Sequence, residues 1–277
     1  MPASNPGISC SGMPMAWSSY LVRVRPTSSR SPSTCTRPPS VGRWSPACGS
    51  TRPDSSSGTT SCSVENAVTD AGVLDADLLR AAATTPTATL HEAAGQTGAL
   101  PAAIKPIVRG MRVGGPAFTV ASPPFDNLWL HRAIAAAPPG SVLVVTVGGA
   151  HDAGYWGDIM TTAALARGLG GLVIDGCVRD LVEIAASGFP VFARGLCIRG
   201  TAKDPASAGC LQGRLDVGSV QIRPGDVLVG DDDGVVAIAA DALSDVIARA
   251  RRRVAKETDI VRALHQGRTT LDLYGWK

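Results

Sequence analysis

The sequence lacks several things that would have settled its chemistry early. No CxxC pair occurs among its seven cysteines, so neither a zinc site nor a redox dithiol has support. The four histidines, His91, His131, His151 and His265, are scattered with no HxxxH spacing, which argues against a histidine metal centre. There is no GxSxG for serine hydrolysis, and no GxGxxG or Walker loop for a nucleotide. No run approaches the roughly 18 apolar residues that cross a bilayer. The stretch MAWSSYLVRV near the start is too short, and too broken by Ser and Arg, for a secretory core. A cytoplasmic location with no membrane partner is therefore expected. Lysine is scarce: Lys105, Lys203, Lys256 and Lys277 are all there are.

Acid is almost missing from the first part of the chain. Residues 1–64 hold six Arg, no Lys and the single acid Asp54. They carry +5, so the net +3 of the whole chain hides a remainder of −2. That remainder has no footprint for nucleic acid. Residues 1–65 are rich in Ser, Pro, Thr, Arg and Gly, with neither helical nor strand periodicity. They offer too little apolar surface to offset the entropy of ordering, and are expected to be disordered. The domain is expected over residues 66–277.

What is present from there on is alternation. The spacing predicts helices near 73–83, from Thr87 or Thr89 through Glu92, and over 127–137, 158–170, 179–188 and 241–265. Strands are expected at 112–122, 138–149, GLVID at 171–175 and 189–198. Residues 215–240, with Pro-Gly-Asp and Asp-Gly turns, read as short antiparallel hairpins. Strand and helix alternating, then hairpins, make an α/β layered domain with a mixed sheet.

Two loops follow strands in this region, and such loops gather at the carboxyl edge of a sheet, where open α/β folds hold ligands. The first, GGAHDAGYWGDIM (148–160), frees backbone N–H groups and leads into a helix, which suits a carboxylate or phosphate. His151 there is placed to line a pocket, and Tyr155 and Trp156 to wedge the loop. The second, DGCVRD (175–180), sets Arg179 as a fork for a carboxylate or an enolate oxygen. Beside it stands Asp180, a hard oxygen ligand for Mg²⁺ or Mn²⁺; Asp158 is a third polar group if the loops are neighbours. The bland alternative is that Asp180 is a first-turn acid serving its helix dipole, with Arg179 its partner. DDDG (231–234) is expected to be a hairpin turn rather than half a calcium loop. RARRRVAK (248–255 with Lys256) is expected to be a solvated or subunit-facing helix surface.

The stretch AGYWGDIMTTAALARGLGGLVIDGCVRDLVEIAASGFPVFAR closely resembles the ribonuclease-activity-regulator-A-like superfamily, whose enzymes are 4-hydroxy-4-methyl-2-oxoglutarate/4-carboxy-4-hydroxy-2-oxoadipate aldolases. PPGSVLVV upstream and VQIRPGDVLVGDDDGVVAI downstream are similar as well, so the resemblance covers roughly residues 70–270. It implies a swivelling-type β/β/α domain assembling as a trimer or a dimer of trimers. It also implies a small 2-oxo acid substrate, bound by backbone amides of Gly157, Asp158, Ile159 and Met160. Arg179 would hold the keto and enolate oxygen, Asp180 would bind Mg²⁺ or Mn²⁺ directly, and Asp158 would reach the metal through water. An acid from a neighbouring subunit would complete the site, with Glu257 the first candidate and Asp259 the second. The implied reaction is a metal-dependent lyase releasing pyruvate through an enolate, which would also decarboxylate oxaloacetate. A Schiff-base aldolase is disfavoured because no lysine lies in either loop. Two other classes remain: a non-catalytic regulator of a ribonuclease, and, last, a methyltransferase.

Overall fold

The computed structural model of the protein describes residues 74–276. The Ser/Pro/Arg-rich segment and the expected boundary at residue 65 lie outside the described residues.

Two short helices come first, α1 (Ala76–Thr84) and α2 (Thr87–Ala93). Asp75 caps α1 by accepting the N–H of Asp77 at 2.7 Å, and Pro86 separates the two helices because it cannot continue the first. Strands β1 (Lys105–Pro106) and β2 (Val113–Ala121) follow, then α3 (Leu128–Ala136) and β3 (Val142–Thr146). Next come α4 (Asp158–Ala166), β4 (Gly171–Asp175), β5 (Cys177–Val178), α5 (Leu181–Ser187), β6 (Val191–Ala193) and β7 (Gly195–Leu196). The chain continues through β8 (Cys210–Leu211), β9 (Leu215–Val217), β10 (Val220–Ile222), β11 (Val227–Asp231) and β12 (Gly234–Ile238). It closes with α6 (Leu243–His265) and α7 (Thr270–Tyr274).

The main sheet has the order β1-β6-β4-β3-β2-β11-β12, with β8 also on β2. The centre β2-β3-β4-β6 is parallel and the flanks are antiparallel. The mixed α/β expectation is therefore correct. The sheet also curls until its ends meet. The Lys105 ammonium of β1 donates to the Asp233 carbonyl in the β11–β12 turn at 2.5 Å. Gly110 N–H donates to Asp232 Oδ1 at 2.8 Å.

β3 and β4 read as unbroken apolar runs because both of their faces are buried. Leu143 and Val145 face one cluster with α3, α4 and α5, while Val142 and Val144 face the interior of the curled sheet beside Phe192 and Leu228. A third cluster lies between β11–β12 and helices α1, α2 and α6. Each fully buried Leu or Phe side chain contributes roughly 1.5–3 kcal/mol.

Three details differ from the expectation. The strand expected at 189–198 is broken at Arg194, whose side chain turns to Asp175. Thr87 starts α2 instead of capping it: Pro86 is the cap residue, and the carboxylate of Asp231 takes the Thr87 N–H at 2.9 Å from 144 residues away. The small helix α7, closed by a Thr269–Asp272 capping box, was not anticipated.

Candidate active site

The carboxyl ends of β3 and β4 point the same way, so the loops that follow them lie together. The first loop is packed rather than loose. Ala153, Tyr155 and Trp156 are fully buried. The Tyr155 hydroxyl donates to the Ala150 carbonyl at 2.7 Å and accepts the Phe125 N–H at 2.8 Å. Trp156 stacks on Phe189, its indole N–H donating to Thr161 Oγ1 at 2.7 Å. These two rings are core residues that carry the loop, a firmer role than a surface wedge. His151 Nδ1 lies 2.8 Å from the Asp175 carbonyl. A carbonyl only accepts, so Nδ1 carries the proton.

The two loops are then stitched edge to edge. Tyr155 N–H donates to the Cys177 carbonyl at 3.0 Å, and Arg179 N–H to the Trp156 carbonyl at 2.9 Å. This brings Gly157, at the N-cap of α4, against Asp180. A Cβ at 157 would collide with Asp180 Oδ2, so this position requires a residue without one. Asp180 Oδ2 accepts the Asp158 N–H at 3.0 Å. Asp180 Oδ1 has no partner among the described residues. Asp180 itself is left-handed, at φ 62° and ψ 47°, and Arg179 Nε lies 3.8 Å from its Oδ2.

Arg179 and Asp180 remain open to solvent, with side chains 46% and 40% exposed. Together with Leu181, Leu196, Cys197 and Ile198 they line a groove of about 420 Å³. The α4 N-terminus has no side-chain cap of its own. With the Asp158 N–H taken by Asp180, the N–H groups of Ile159 and Met160 are the first-turn donors left over. Ile159 is an exposed side chain and Met160 a buried one.

Glu257 is elsewhere in the chain. It sits on α6, paired with Arg253 at 2.7 Å, while Arg253 also reaches Glu92. Asp259, the second candidate, pairs with Arg262 at 2.8 Å. Nothing within this chain brings either acid to Arg179. The groove wall formed by Leu196, Cys197 and Ile198 was not foreseen. Its signal was the second glycine-punctuated loop after a parallel strand, ARGLCIRG. Cys177, below the groove, is no nucleophile: burial first, then nearby Cys197 and Asp152, pushes its thiol up and keeps it protonated.

The Asp180 carboxylate fits a divalent ion only in company. Among the described residues no group of three or more His, Cys, Asp or Glu is gathered around a common point. One hard carboxylate with a free oxygen is nevertheless what Mg²⁺ uses when waters and substrate fill its other positions.

The Aldolase/RraA family model matches residues 68–237. The chain belongs to that family. A protein of Halalkalibacterium halodurans that carries the provisional name 4-hydroxy-4-methyl-2-oxoglutarate aldolase is 34% identical over 181 residues, covering 65% of this chain and 85% of that one. A solved structure from Pseudomonas syringae, of a protein without an assigned function, superposes with TM-score 0.62 at 35% identity, covering 70% of this chain and 90% of the other. The RNA-processing inhibitor RraA from Thermus thermophilis superposes with TM-score 0.51 at 26% identity, covering 55% of this chain and 92% of its own. The family thus holds both aldolase names and an inhibitor on one fold. Among the described residues, no helix is long and apolar enough to cross a membrane.

Proposed function

We propose that the protein is a divalent-metal-dependent lyase that cleaves a 4-hydroxy-2-oxo diacid of the 4-hydroxy-4-methyl-2-oxoglutarate type, releasing pyruvate. The observation that carries this reading is the convergence of three groups at one groove: the open N-terminal amides of α4, the Arg179 fork, and the Asp180 carboxylate fixed by the Asp158 N–H. The aldolase name of the Halalkalibacterium relative supports the reaction class.

In this reading the N–H groups of Ile159 and Met160 bind the substrate's 1-carboxylate, a use suited to an uncapped helix N-terminus. Arg179 holds the 2-keto oxygen. When the C3–C4 bond breaks, its electron pair moves to that oxygen, and the guanidinium is already placed to stabilise the enolate. Asp180 would hold Mg²⁺ or Mn²⁺ directly and Asp158 through water; when bound, the ion supplies Lewis-acid polarisation of the keto group. The same enolate forms when oxaloacetate loses CO₂, so decarboxylation follows from the same residues. Lysine chemistry is not available here, since Lys105 is engaged by the Asp233 carbonyl and no lysine lines the groove.

Assembly completes the proposal. Ile159, Val182, Leu196 and Ile198 are exposed apolar side chains on the elements around the groove, which a second subunit would cover while contributing an acid such as Glu257. A trimer or hexamer is expected by light scattering at micromolar concentration; an active monomer would overturn this part.

The decisive test is pyruvate formation from oxaloacetate and from the branched hydroxy-oxo diacids, with Mg²⁺ and with EDTA. The similarity to the RNA-processing inhibitor favours a second reading, a non-catalytic regulator of a ribonuclease. Failure to release pyruvate under any metal would favour it.

A further inference from the structure

The loop that follows β7 carries a second arginine to the groove, and nothing assigned so far uses it. Cys197 N–H donates to the Val178 carbonyl at 2.9 Å, which extends the β5–β7 pairing up to Arg179. Gly154 N–H then donates to the Arg199 carbonyl at 2.8 Å. Gly154 is wedged: a Cβ there would collide with the Cys197 carbonyl and come within 3.2 Å of the Arg179 Cβ and Cδ. The backbone of Arg199 and the stem of Arg179 therefore lie on either side of one glycine. On the other side of residue 199, a Cβ at Gly200 would be 3.9 Å from Arg179 NH1.

The loop is held rigidly in that place. Ala202 N–H donates to the Phe125 carbonyl at 2.7 Å, Asn127 N–H to the Ala202 carbonyl at 3.1 Å, and Asp204 N–H to the buried Asp126 carboxylate at 2.6 Å. Arg199 is exposed and takes part in none of the ion pairs among the described residues. Lys203, the other cation on the loop, lies toward α3. There, burial first and Lys203 second lower the pKa of His131. Arg179 has Asp180 beside it; Arg199 has no anion of its own.

We propose that Arg199 is a specificity residue that reads the second carboxylate of a dicarboxylate substrate, while Arg179 takes the 2-keto end. This rests on the lyase reading above and narrows its substrate class: 2-oxo diacids, not 2-oxo monoacids. A guanidinium that binds a carboxylate bidentately favours the charged, planar end group over a methyl.

Two measurements separate this inference from the lyase reading. The first is calorimetric binding of 2-oxoglutarate and of pyruvate, in the presence of Mg²⁺, to the full-length wild type and to Arg199→Gln and Arg199→Lys. The wild type should prefer 2-oxoglutarate. Arg199→Gln should cut that preference about 10–100-fold, the usual scale for losing hydrogen bonds to a charged group, and Arg199→Lys should restore part of it. An unchanged preference in Arg199→Gln overturns the assignment, whether or not turnover is seen. The second is turnover of the branched diacid, where Arg199→Gln should raise KM more than it lowers kcat. No pyruvate from the wild type would count against the lyase, and the binding preference would still decide for or against Arg199.

Discussion

Asp180 Oδ2 accepts the N–H of Asp158 at 3.0 Å, so the side chain that opens α5 caps α4 instead. Its own helix receives no side-chain cap. An acid kept merely for its helix dipole would serve the helix it starts. This one is turned across the loop, and it holds a left-handed conformation to do so, a geometry that Asp tolerates better than most residues and that tends to collect at functional sites.

Replacing Asp180 by Asn separates capping from chemistry. Asn accepts the same N–H and also adopts left-handed backbone, so the melting temperature should stay within a few degrees of wild type. The lost charge should lower pyruvate release by more than about a hundredfold, since even outer partners of a bound metal are worth 10–100-fold. Asp180→Ala should lose both cap and activity, and full turnover in that variant would end the metal-lyase reading.

Arg179→Lys keeps a positive charge but not a planar fork. Its kcat should fall about 10²–10³-fold, the scale of one oriented oxyanion donor. Stability should barely move, because an exposed ion pair is worth only about 0–1 kcal/mol. Steady-state kinetics beside a thermal melt checks both; a stability loss with normal turnover would make the pair structural.

Gly157→Ala places a methyl against the Asp180 carboxylate. Asp180 must swing away and release the Asp158 N–H. The expected cost is about 1–3 kcal/mol, as for other overpacked sites, with activity falling alongside. Wild-type turnover in this variant would show that the Asp158–Asp180 contact is dispensable.

Acid should unfasten the far side of the domain. Burial alone would raise the pKa of Asp231, but the Thr87 hydroxyl and N–H, the Asp233 N–H and Arg112 outweigh it and hold the carboxyl below its usual value. A depressed carboxylate contributes stability that is present above its unfolded pKa, near 3.9, and is lost as pH falls through the folded one. Asp226 works in the opposite sense, since burial chiefly raises it. Asp231→Asn should cost about 1–3 kcal/mol at pH 7 and flatten the loss of stability between pH 5 and pH 2. Urea titrations across that range test it; parallel curves for the two proteins would refute the assignment.

Much of this was legible in the residues. VLVVT and GLVID announce parallel strands because a strand buried on both faces has no polar side to show. The helix from Asp158 was expected to run to the glycines at 168–170 and ends slightly earlier, at Ala166. The pairing of Arg179 with Asp180 at a strand end was visible as well. Illegible were the features that depend on distant partners. No local pattern says that Asp231 caps α2, that β1 meets the β11–β12 turn, or that Asp180 serves α4. Two-residue strands such as β1 and β8 carry too few side chains to show alternation. The capping box of α7 was in plain view as Thr269 and Asp272, and was passed over because the helix behind it is only five residues long.

The two fastenings described above close at different times on a growing chain. Asp158 meets Asp180 after 22 residues, so the groove residues can take their places as soon as β4 and its turn have emerged. Thr87 must wait 144 residues for Asp231. Until the last hairpin is synthesised, α2 has an open end and the curled sheet an open seam. Synthesis therefore delivers a nearly assembled reaction centre on an unfinished frame, and a translation arrest before residue 231 should leave the first contact formed and the second absent.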